Sequence, residues 1–175
     1  MQSRIARISL LFFVGGAVFW LGGVNIRALI GNDLLVMGTL DFEPNIPPAV
    51  ERFSFHLVSA SSVVVNIAYL VTLVSSIVFL RATSLRFKQH GWLMMSAILS
   101  YLFIPVEIYS MFLDAKMVYL DMFVGSNDLV EFRKLFIHRL AAFSGVPIIA
   151  LFCYYTAIGL AIFRPLKKVT PQPSP

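Results

Sequence analysis

Six polar residues in this chain sit where polar residues are costly. Glu107, Arg27, Asn25 and Asn66 lie within or at the edge of long apolar runs, and His56 and His138 lie near the ends of two such runs. Hydrocarbon offers no partner to such groups, so they face a protein interior or a watery path. Glu107 is the most demanding. Counted from Trp92, it lies about 22 Å into its run at 1.5 Å per helical residue. An unpaired carboxylate at that depth is strongly disfavoured or takes up a proton. Arg27 stands about 30 Å along its own run from Arg7. A side chain reaching down from Arg27 and one reaching up from Glu107 would meet, which predicts an ion pair. With Asn66 and the serines described below, Glu107 would line a path for protons or a small solute. A quinone near Glu107 is a further use of the same carboxyl.

The two histidines suggest a second chemistry. His56 precedes Arg81 by 25 residues and His138 precedes Arg164 by 26, so both stand near 38 Å from the basic edge. Two histidines at one level can ligate haem b axially. Glu107 falls about 15 Å from that level, so the three form no single metal cluster. Catalytic residues are not evident. There is no phosphate-binding glycine loop, no Ser-His-Asp spacing and no lysine within a span. A lone cysteine, Cys153, excludes an internal dithiol cycle.

The residues between these groups share their faces. His56, Ser59, Ser62 and Asn66 recur at helical spacing, as do Ser96, Ser100, Glu107 and Ser110. His138, Ala141, Ala142 and Gly145 form a third stripe. Gly15 with Gly22, and Gly16 with Gly23, repeat at seven residues. Small residues let helices approach closely, and serine or asparagine can bond across the gap.

The elements that carry these stripes follow from composition. Of 175 residues, 58% are apolar and 13% charged, about half the charged share usual in a soluble domain. Four runs are long enough to span a bilayer as helices, about residues 8–30, 57–80, 92–113 and 140–163. They lack the residue-by-residue alternation of a membrane barrel. The fold class expected is an all-α, four-transmembrane-helix bundle, one membrane domain over residues 1–168, with a short Pro-rich tail at 169–175. Arg4, Arg7 and the run that follows also resemble a secretory signal, but the run is long and no A-x-A site follows, so it reads as a retained span.

Charge orients the bundle. Arg4, Arg7, Arg81, Arg86, Lys88, Arg164, Lys167 and Lys168 stand at one end, and the nine acidic residues lie toward the other. Basic residues stay on the cytoplasmic face, which places both termini inside. The net charge of +5 belongs to these edges and forms no separate basic domain, which excludes nucleic acid as a partner.

On the outer side, residues 31–47 read as an irregular acidic loop without ion-loop spacing. Pro47 and Pro48 suit a helix start. The third helix is expected to continue through Asp114, Met117, Leu120 and Phe123. Gly125, Ser126 and Asn127 make a turn, and Asp128 with Glu131 resembles a capping box. A fourth helix from Leu129 to Phe163 would then match the third, so that residues 114–139 project as an outer helical hairpin. Pro105 and Pro147 predict kinks at Tyr101 and Phe143. A shift of 82 residues lays His56 on His138, Ala60 on Ala142 and Asn25 on Glu107, a pattern that tandem duplication would produce.

The function expected from these features is a non-enzymatic accessory or assembly subunit. Its partners would be the bilayer and a larger membrane protein, or copies of itself. In a bacterium it would lie in the inner membrane. Transport through Glu107, and a haem- or quinone-binding redox subunit, are the alternatives.

Overall fold

A computed structural model describes residues 3–85, 87–125 and 128–165. Arg86, Ser126, Asn127, Lys167, Lys168 and the tail at 169–175 lie outside the described residues. Every regular element among the described residues is helical. Four helices are long and apolar enough to cross a membrane: Arg4–Asn32, Pro48–Ala82, Gly91–Val124 and Val146–Phe163. By length and composition this is the architecture of a membrane protein.

Helix α1 (Arg4–Asn32) opens on Ser3, whose hydroxyl accepts from the Ala6 amide. Helix α2 (Pro48–Ala82) opens on a proline at its first position, where the missing donor costs nothing. The two run unbroken and pack along each other. A Cβ at Gly16 would stand 2.6 Å from Thr72 Oγ1, and one at Gly23 would stand 2.5 Å from Val65 Cγ2. These two glycines therefore set the approach of the helices. Gly15 and Gly22 face open space, so only one of the two glycine stripes is used within the chain.

The third span is broken where proline demands it. Helix α3 (Gly91–Tyr101) stops two residues short of α4 (Ile104–Val118), and Pro105 lies in the first turn of α4. The chain continues as a π-helical segment, Tyr119–Val124, closed by Gly125 in the left-handed conformation at φ 62°. Asp128 then accepts from the amides of Val130 and Glu131, which starts α5 (Leu129–Ala141) as the sequence suggested.

The expected continuous helix from Leu129 to Phe163 is corrected. It stops at Ala141 and resumes as α6 (Val146–Phe163). Phe143, Ser144 and Gly145 all have positive φ, at 64°, 45° and 88°. Proline cannot donate a backbone bond, and its ring obstructs the preceding turn. At Pro147 the result is a full break, which apolar periodicity alone does not reveal.

Two cores hold the chain together. One lies between the spans, around Trp20, Val65, Tyr69, Phe103 and Tyr154. The other lies at the acid-rich end, around Leu34, Phe55, Met117, Phe132 and Phe136. The 31–47 connection is more than a solvated loop. Leu34 is buried, Leu35 bridges to Phe42, and the Phe42 ring packs on Phe55 and Phe136. Most of the remaining span surface is apolar and exposed, Leu11, Phe19, Phe152 and Phe163 among it. Water would penalise that surface and lipid does not.

Candidate functional site

Three acids on one face of the third span define the site. Glu107, Asp114 and Asp121 follow one another at seven residues, two helical turns. Ser110 and Met117 are buried between them, which marks this face as the one turned inward. The two upper acids are answered by cations from three other helices, and the lowest is not.

Asp114 is 1% exposed. Arg27 of α1 grips it with both terminal nitrogens, at 2.9 and 2.7 Å. Arg139 of α5 adds a contact from Nε at 2.5 Å and a longer one from Nη2 at 3.5 Å. A carboxylate so held is desolvated but saturated, the geometry in which a buried charge is tolerable. Arg52 of α2 approaches Asp121 Oδ1 at 2.7 Å, and His56 Nδ1 lies 2.9 Å from Oδ2. A third pair joins α2 to α5. Arg133 Nε and Nη2 meet Glu51 at 2.5 and 2.7 Å. This hydrogen bonding to Glu51 raises the Arg133 guanidinium above its ordinary value, because it favours the charged form.

The expected Glu107–Arg27 pair is therefore corrected. Arg27 takes Asp114, one heptad above Glu107 on the same face. Counting depth from the chain ends could not separate two acids on one stripe. Glu107 instead accepts a hydrogen bond from the Tyr154 hydroxyl at 3.0 Å, and the fields of Arg139 and Arg27 reach it from a distance. Tyr154 packs edge-on against Trp20, and Trp20 against Tyr69, with ring centroids 4.7 and 4.9 Å apart. The Tyr69 hydroxyl is buried without a hydrogen-bond partner among the described residues.

The other expected residues are distributed around this core. Asn25 donates to the Leu21 carbonyl and to the Tyr155 hydroxyl, both at 2.7 Å. Neighbouring tyrosines of α6 thus hold Glu107 and Asn25, the two positions that the 82-residue shift superimposes. Asn66 is partly buried, and its side chain bonds to no other described residue. His138 Nε2 lies 3.2 Å from the Tyr109 hydroxyl, whereas His56 is held by Asp121. Those partners are twelve positions apart on the third span, about 18 Å along an ideal helix. The equal height expected of the two histidines assumed an unbroken fourth helix, and the break at 142–145 removes that assumption. Among the described residues, no group of three or more His, Cys, Asp or Glu side chains is placed to hold a metal ion.

Asp114, Asp121, Arg52, Arg133, Arg139 and Glu51 were not singled out from the sequence. The seven-residue repeat of acids was a readable signal for the first two. Their arginine partners come from other helices, and no spacing within one element announces them. Comparison with protein families, with curated proteins and with solved structures found no match to this chain.

Proposed function

We propose that this chain is a non-enzymatic accessory or assembly subunit of a membrane complex. Both termini and the 83–90 connection lie on the cytoplasmic side, and the acid-rich end forms an outer head. The observation that supports this reading is the use of charge. Asp114, Asp121 and Glu51 are all buried, and each binds an arginine from another helix. Charges spent in this way fasten helices and line no path. The head is therefore stiff, as a docking element must be to avoid ordering costs on assembly. Extraction in a gentle detergent tests the reading. It predicts a stoichiometric membrane-protein partner and a colourless preparation. A monodisperse homo-oligomer would overturn it, and a Soret band lost in His56→Ala or His138→Ala would favour the haem reading.

One observation favours a second reading, proton transfer. Glu107 is the acid of the ladder with a tyrosine and no arginine in contact. A carboxyl held by a neutral donor can exchange a proton without breaking an ion pair. Proteoliposomes carrying Glu107→Gln would then lose proton flux. Equal flux in both proteins would leave Glu107 a structural residue.

A further inference from the structure

The basic end of the molecule carries an unbalanced charge built into a specific geometry. Helices α3 and α6 pack together, which brings Arg164 to Trp92. The Arg164 guanidinium lies 5.6 Å from the centre of the indole. Arg164 holds φ 47° and ψ 47°, a left-handed conformation that a side chain with a Cβ adopts at a cost. That backbone turn ends α6. His90 stacks on the same indole, with centroids 6.4 Å apart and planes inclined by 23°. Its Nδ1 is buried and has no hydrogen-bond partner among the described residues. Trp92 itself is 9% exposed.

Among the described residues no carboxylate answers these groups. Each acid with an ion pair among the described residues is held toward the opposite, acid-rich end of the molecule. The Ser3 hydroxyl donates to the Ala82 carbonyl at 3.1 Å, which brings the N-terminal segment with Arg4 and Arg7 beside the end of α2 with Arg81. The end as a whole is cationic, and within it Arg164 and His90 converge on one ring. A guanidinium fork and an imidazole N–H together suit a phosphate oxygen pair. The indole supplies the amphipathic platform typical of the membrane interface.

We propose that Arg164, His90 and Trp92 form a binding site for the phosphodiester of an anionic phospholipid at this end of the bundle. A free phosphate shares the headgroup's chemistry, but the apolar flanks of α3 and α6 continue from the site along the bilayer, where acyl chains would lie. Met94, Ile98, Ile158 and Ile162 are exposed on those helices.

The test is thermal unfolding of the full chain in a neutral detergent, with additives supplied one at a time. Phosphatidylglycerol should raise the melting temperature by several degrees, whereas phosphatidylcholine and inorganic phosphate should not. Arg164→Gln and His90→Phe should each remove most of that rise. Arg81→Gln, at the same end but away from the indole, should keep it. An equal loss in Arg81→Gln would show a diffuse field and overturn the site. An equal rise with inorganic phosphate would overturn the lipid as its occupant. Should Arg164→Gln fail to accumulate, Arg164→Lys keeps the charge and loses the fork. Lower retention of phosphatidylglycerol by native mass spectrometry in that variant would support the site, and unchanged retention would overturn it.

Discussion

In the first hairpin, α1 and α2 run for 29 and 35 residues without interruption, and glycine lets them touch. In the second, each arm is broken near a proline, at Leu102–Phe103 and at 142–145. The first hairpin is fastened by close packing along its length. The second is fastened to the first by arginine and carboxylate at one end, and by tyrosine hydroxyls further down. A continuous helix satisfies its own backbone, so apolar contact is enough to hold it. A broken helix frees carbonyls and changes direction, so its pieces need directional bonds to be held in place.

The largest effect should come from the bond that joins the two hairpins. Asp114→Asn leaves the buried Arg27 and the partly buried Arg139 without their countercharge, and it should destabilise by about 3–5 kcal/mol. Denaturant unfolding in detergent measures it. A loss no greater than that of an exposed pair would mean that α1 and α5 are held together by packing alone.

Glycine tests the first hairpin from within. Gly16→Ala drives a Cβ into Thr72 and the Ala68 carbonyl, at 2.6 and 3.1 Å, and should cost about 1–3 kcal/mol. Gly15→Ala, one residue away and facing open space, should be neutral or slightly stabilising, by up to about 1 kcal/mol. Equal gains from both would show that helix propensity, not close approach, governs this pair.

The break in the second hairpin gives a gain in place of a loss. Ser144 holds φ 45°, a conformation glycine adopts freely. Ser144→Gly should therefore stabilise by up to about 1 kcal/mol. A loss of stability there would indicate that the chain straightens through 142–145 in the membrane.

The smallest effect belongs to Arg133. Its side chain is 45% exposed, so solvent screens its pair with Glu51. Arg133→Gln should cost no more than about 1 kcal/mol, and the cost should shrink as salt rises. A salt-independent cost would point to its cation–π contact with Phe42, 5.0 Å from the ring centre.

The four spans were legible because length and hydropathy are properties of contiguous residues. So were the start of α2 at Pro48, the cap at Asp128 and the sites of both interruptions, since proline and Asx chemistry act within a few positions. The site was legible only in part. Glu107, Arg27, His56 and Asn25 stood out as polar groups in apolar runs, and each is engaged in the structure. Their partners were not readable, because Arg27 can reach any acid of one helical stripe and Tyr154 resembles any other span aromatic.

Sequence by itself determined that four helices exist, where they are weakened, and that one end keeps eight of the fourteen basic residues while the nine acids lie toward the other. Those outcomes depend on interactions within a few turns of chain. Tertiary structure alone decided which arginine meets which acid, which glycines are in contact, and that Glu107 is left to a tyrosine. Each of those depends on how far one helix is rotated and shifted against another, and that is fixed by the summed packing of all of them.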